Sequence, residues 1–127
     1  MLTSLRIRNF KSWRDTGDIR LAPLTFIFGP NSAGKSSLGH LLLALKQTAL
    51  SSDRQRTRNL GDGNTLIDLG TFADCLYGHD LSQPLDFHLR WMLPKQMTVR
   101  NPGRPADQYN GDSLDLQARL KADEKTG

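Results

Sequence analysis

An α/β lobe built around a phosphate-binding loop, with an antiparallel sub-sheet attached, is the fold class that this 127-residue sequence predicts. Three observations carry it. The apolar run Leu24-Thr25-Phe26-Ile27-Phe28 breaks into a glycine-bounded loop and then into a segment with helical spacing. Apolar and polar residues alternate both before that run and after Pro84, which is the period of half-buried strands. The loop itself, Gly29-Pro30-Asn31-Ser32-Ala33-Gly34-Lys35-Ser36-Ser37, spells G-x-x-x-x-G-K-[ST].

Taken in order, Leu5 and Ile7 alternate with Ser4, Arg6 and Arg8 in a first strand that runs into Phe10. Asn9-Phe10-Lys11-Ser12-Trp13 leads to a turn at Thr16-Gly17-Asp18, and Ile19 and Leu21 mark a second strand that Ala22-Pro23 ends. Residues 24–28 then read as a strand covered on both faces, as in a parallel sheet. From Ser36 onward Leu38, Leu41, Leu42, Leu45 and Ala49 form one helical face, with Lys46 and Gln47 on the other.

In the loop each fixed position has a physical reason. Gly29 and Gly34 allow the tight wrap and keep side chains from holding phosphate away from backbone N–H groups. Those amides and the positive end of the following helix form an anion cradle. Lys35 is the candidate catalytic group, placed to bridge β- and γ-phosphates, and Ser36 the candidate Mg²⁺ ligand. A strand-to-helix turn that binds nothing is the bland alternative.

Beyond the helix, residues 51–59 are polar and include Arg54, Arg56 and Arg58; a DNA-backbone contact, a contact to a second nucleotide and a solvated connector all fit. Thr71 and Asp74 are spaced as a capping box, Phe72, Cys75 and Leu76 share a helical face, and Gly78 terminates. Leu85, Phe87, Leu89, Trp91 and Leu93 alternate with Asp86, His88, Arg90 and Met92 in a long strand that Pro94 ends. Met97 and Val99 mark a second strand, Asn101 to Pro105 a loop, Asn110-Gly111 a turn, and Leu114, Leu116, Ala118 and Leu120 a third strand. The expected organisation is a single lobe over 1–127: strands, loop and helix to residue 50, the Arg-rich loop and short helix over 51–83, the meander over 84–121 and a frayed end over 122–127.

Charge is uneven. Residues 1–60 carry ten Lys and Arg against three Asp, and residues 61–127 carry seven against ten Asp and Glu. A basic front suits polyphosphate and permits nucleic acid. Cys75, the one cysteine, excludes an internal disulfide and reads as a small buried hydrophobe. No stretch approaches bilayer length, and a cytoplasmic location without membrane contact is expected.

The segment Leu5-Arg6-Ile7-Arg8-Asn9-Phe10-Lys11-Ser12-Trp13, a second strand and the Gly29–Ser37 loop together resemble the start of ABC-type ATPase heads. Within them the chain is similar to the structural-maintenance-of-chromosomes (SMC), RecF and OLD-like groups, often labelled AAA family ATPases in bacteria. Residues 68–78 resemble a further segment of those heads, so the likeness spans most of residues 1–93. It implies a P-loop NTPase lobe, ATP and Mg²⁺ as ligands, and an approach of Lys11 and Ser12 to the nucleotide; for those two residues an ordinary solvated turn is the alternative. It also allows a homodimer and a nucleic-acid partner. Hydrolysis needs an acid at the end of a buried strand, and none is convincing here: Asp68 follows only Leu66-Ile67, and Glu124 is the sole glutamate. The expectation is therefore an N-terminal lobe completed by a C-terminal half or partner chain carrying the Walker B acid. A non-hydrolysing interaction or regulatory module and, ranked last, a small-molecule phosphotransferase are the alternatives.

Overall fold

In the computed structural model, residues 1–31, 33–51, 60–61 and 65–123 are described. Strand β1, Leu2–Phe10, is the organising element. Its inward side chains Leu5 and Ile7 are buried and its outward Arg6 and Arg8 line the polar face, as the alternation predicts. Asn9 takes a left-handed conformation (φ 57°), which breaks the alternation and turns Phe10 inward. Its amide holds the bend by donating to the carbonyls of Gln83 at 3.0 Å and Pro84 at 3.2 Å.

Two short strands, β2 (Trp13–Asp15) and β3 (Ile19–Arg20), pair antiparallel with the two ends of β1 along one edge. Along the other edge β1 pairs antiparallel with β4 (Leu85–Asn101), which pairs with β5 (Arg104–Leu120). The five-stranded sheet has the order β2-β1-β4-β5, with β3 beside β1, and is antiparallel throughout.

The expected buried parallel strand at residues 24–28 is not formed. These residues carry no strand, and Phe26 and Phe28 are 70% and 88% exposed. Its side chains have the right character, but no described strand lies alongside to take up its backbone donors and acceptors, and an unpaired strand has no ladder. Phe26 and Phe28 stack on each other instead, with centroids 6.1 Å apart. The α/β expectation thus holds for a helix packed on a sheet and fails for the parallel strand.

The helix is α1, Lys35–Leu50. Leu38, Leu41 and Ala44 enter one core with Leu5, Ile7, Phe10, Phe87 and Leu89, while Leu42 and Leu45 pack at its margin. Gln47, expected on the solvent side, is 5% exposed: its amide donates to the Ile67 carbonyl (3.1 Å) and accepts from the Ile67 N–H (3.2 Å). Both donor and acceptor needs of an extended backbone residue are thereby met by one side chain.

A four-residue helix, α2 (Phe72–Cys75), carries the predicted capping box, with Thr71 and Asp74 bonded reciprocally. Cys75 is fully buried. Past β4's start, the expected three-strand meander is a two-strand arm. Pro94 does not end β4; residues 93–96 bulge out between the pairs Met92↔Ser113 and Met97↔Gly111, so the missing ladder N–H falls where pairing is interrupted. Asn110-Gly111 lies inside β5, and the reversal is at Pro102-Gly103, where the Gly103 N–H meets Asn101 Oδ1 at 2.9 Å. Only this register sets Leu120, Ala118, Leu116 and Leu114 opposite Leu85, Phe87, Leu89 and Trp91. The opposite face is laced by ion pairs, Arg119 to Asp86 (2.8 Å), Arg90 to Asp115 (3.0 Å) and Arg6 to Asp15 (2.8 Å). His88, on the polar side of the alternation in β4, is half-buried and paired with Asp115. Among the described residues no helix is long and apolar enough to cross a membrane.

Candidate functional site

Gly34 is the pivot of the loop. It sits at φ 90°, the left-handed region that glycine enters without penalty, and α1 begins at the next residue. A Cβ placed there would lie 2.2 Å from Ser12 Oγ and 2.8 Å from Trp13 Nε1, so only a hydrogen fits. The Trp13 indole N–H donates to the Gly34 carbonyl at 2.9 Å and fixes the plane of that peptide. The Ser37 N–H reaches the same carbonyl at 3.2 Å, and the Ala33 N–H reaches Pro30 O at 3.3 Å. Lys35 folds back along the loop, its ammonium donating to the Gly29 carbonyl.

The N-terminus of α1 has no side-chain cap, and no acidic residue stands in its first turn. Helix N-termini leave N–H donors without intrahelical partners and carry partial positive charge, so this end is electrostatically open to an anion.

The segment after β1 forms the facing wall. Lys11 is left-handed (φ 50°), and its N–H bonds the Cys75 carbonyl at 2.7 Å, tying the end of β1 to α2. A cavity of about 470 Å³ lies between the two walls. Lys11, Ser12 and Asn31 line it with Gly34, Lys35, Ser36 and Ser37; Asp74, Leu76, Gly78 and His79 close its far end. The Asp74 carboxyl is held below its usual range, first by the hydrogen bond from the Thr71 hydroxyl and then by the Thr71 N–H.

Most of the sequence-predicted residues are therefore brought together. Lys11 and Ser12, expected to approach a nucleotide, line the same cavity as the loop. Gly29, Pro30 and Ala33 belong to the loop without lining the cavity, and Ser32 lies outside the described residues, as do Arg54, Arg56 and Arg58. Asp68 is not at the cavity; its Oδ1 accepts from the Gly70 N–H at 2.9 Å. Trp13, Asp74 and His79 were not singled out as site residues. Trp13 follows Ser12 directly and could have been found as the one large donor beside the motif, whereas His79 arrives through tertiary folding alone.

Residues 1–95 match the family described as AAA ATPase domain. The chain belongs to that family. Its matched part is accordingly a nucleotide-binding, ATPase-type segment; it runs from β1 through the loop and α1 into the bulge of β4, and β5 lies beyond it. No curated protein and no solved structure matches the chain.

Proposed function

We propose that this AAA ATPase domain chain binds ATP with Mg²⁺ through the loop from Gly29 to Ser37, as the ATP-binding lobe of an SMC-, RecF- and OLD-like ATPase. The observation that carries the reading is the uncapped start of α1 opening into a cavity that also holds Lys35, Lys11 and Ser12. A triphosphate there meets main-chain donors, the helix dipole and two ammonium groups. A volume of about 470 Å³ also falls in the range of small-ligand sites. Lys35 exchanges a neutral carbonyl for phosphate oxygens, a stronger partner. Ser36 is the residue that would hold Mg²⁺, with phosphate oxygens and water supplying the rest, since among the described residues no group of three ligating side chains exists. The bound metal would neutralise charge on the phosphates.

Hydrolysis is assigned to a second half carrying the Walker B acid. The exposed apolar ribbon at residues 24–28 supports this, because one neighbouring strand would satisfy its backbone and cover its phenylalanines. Coupling to nucleic-acid transactions or defence, and a homodimer, follow the resemblance. Titration calorimetry of ATP·Mg²⁺ into the chain and into Lys35→Ala tests the binding: weak binding in the first and loss in the second are expected, and equal affinity, or none in either, ends the reading.

A second reading, a non-hydrolysing interaction or regulatory module, has one observation in its favour. Among the described residues Asp74 is the one acid lining the cavity, and its Oδ2 is committed to the Thr71 N–H and hydroxyl. Phosphate release by the purified chain that disappears in Lys35→Ala would remove it.

A further inference from the structure

We infer that His79 is the residue that selects the base of the nucleotide, accepting a hydrogen bond from the amino group of a 6-aminopurine. The inference rests on the phosphate-loop reading and extends it to the far end of the same cavity. His79 lines that end beside Leu76, opposite the wall formed by the loop and α1. Ser12 lies against Gly34, the Lys11 N–H is bonded to Cys75 and His79 to Ala73. From the start of α1 the cavity wall therefore runs through Ser12 and Lys11 to His79, and a ligand whose phosphates lie at that start has its nucleoside directed toward His79.

The chemistry of the ring follows from its one hydrogen bond. His79 Nδ1 lies 3.0 Å from the Ala73 carbonyl. A carbonyl only accepts, so Nδ1 carries the proton, and in the neutral imidazole Nε2 is then an acceptor. Nε2 makes no hydrogen bond among the described residues. The backbone conformation that places the ring is costly at His79 itself, which is left-handed (φ 56°) directly after a left-handed Gly78 (φ 63°) that bears no such penalty, and it is anchored by His79 N–H to Leu76 O at 3.1 Å. Tautomer and position are therefore both set before any ligand arrives.

An acceptor at that place distinguishes purines by what they carry at position 6. Adenine presents an amino group, a donor; guanine, held by the same phosphates in the same orientation, presents O6, whose lone pairs would face the lone pair of Nε2. Purine ribonucleoside triphosphate, with hydrogen at position 6, presents neither. It isolates the one bond in question.

The experiment is competition of ATP, GTP and purine ribonucleoside triphosphate against a fluorescent ATP analogue. It uses the full chain, His79→Ala and His79→Gln, with Lys35→Ala as the phosphate-loop control and circular dichroism as the check on folding. The unsubstituted chain should hold ATP about three- to tenfold more tightly than purine ribonucleoside triphosphate, the size of one hydrogen bond in a partly open site, and GTP no better than the latter. His79→Ala should bring all three to one affinity, and His79→Gln, whose amide oxygen is an acceptor, should keep part of the preference for ATP. Equal affinities for the three in the unsubstituted chain overturn the assignment without needing any variant, as does a preference that survives in His79→Ala. Failure of every nucleotide to bind, in the unsubstituted chain as in Lys35→Ala, strikes the phosphate-loop reading itself and is told apart from the other two results by that.

Discussion

Leu5, Ile7, Leu85, Phe87 and Leu89 on one side, and Leu24, Phe26, Ile27 and Phe28 on the other, are drawn from the same few residue types. The first set is at most 5% exposed, and the second is at least 52% exposed. Hydrophobicity does not separate them; partnership does. β1 and β4 pair antiparallel and share α1 as a cover, whereas residues 24–28 pair with no described strand and face α1 and residues of β1, β2 and β3 only across an open cavity. An apolar run states only that a strand can be buried on two faces. Which strands do the burying must be supplied by other segments.

The comparison is broken most directly by truncating one residue in each set. Ile7→Ala or Leu89→Ala should cost about 2–5 kcal/mol in urea unfolding, because the removed atoms leave a cavity in a packed core. Phe28→Ala should change the same midpoint by less than about 0.5 kcal/mol, the range of surface substitutions, since its ring partner Phe26 is itself exposed. A loss at Phe28 as large as that at Ile7 would mean that the ribbon is covered in solution, and a dependence on protein concentration would name a second copy as the cover.

Smaller effects sharpen the contrast where polar groups replace strand pairing. Gln47→Ala removes the buried side-chain acceptor of the Ile67 N–H and leaves the Ile67 carbonyl with the Thr65 hydroxyl, and should cost about 1–3 kcal/mol, with faster hydrogen exchange at the Ile67 amide as the local signature. Thr71→Ala opens the capping box of α2 and should cost about 0.5–2 kcal/mol; a silent substitution would show that the Lys11-to-Cys75 bond alone holds that wall. The smallest effect is electrostatic. The Asp15 carboxyl is held well below its usual range, first by the Arg6 hydrogen bond and then by the Gly17 N–H. A depressed folded value means that this attraction is fully present above about pH 4 and is lost as pH falls through the folded pKa. Asp15→Asn should therefore lower stability slightly at neutral pH, leave it unchanged in strong acid, and so flatten the acid limb of the stability profile, by the small amount expected of a solvent-exposed pair.

Local features were the most legible in the sequence. The alternation in β1 and in the first half of β4, the helix after Lys35 and the capping box at Thr71 all depend on residues within one or two turns of each other. What the sequence hid depends on distant partners. Nothing around Gln47 announces that its amide will stand in for a strand neighbour of Ile67. Asn110-Gly111 is the stronger turn dipeptide, yet the register of four apolar pairs across β4 and β5 overrides it and moves the reversal to Pro102-Gly103. At the site, the motif located the loop but not its opposite wall. Lys11 reaches the loop because its own N–H is tied to Cys75, 64 positions later in the chain.

Trp13 joins the two walls in one further sense. Its indole is hydrogen-bonded to the carbonyl on which the loop pivots, and the only other indole in the chain, Trp91, stands on β4 among the apolar pairs of the sheet. Light absorbed by Trp13 is therefore emitted from a ring whose surroundings change whenever that peptide rotates or an anion settles beside it, while Trp91 supplies a steady background. The fold carries its own optical gauge of loop occupancy, readable without attaching a dye.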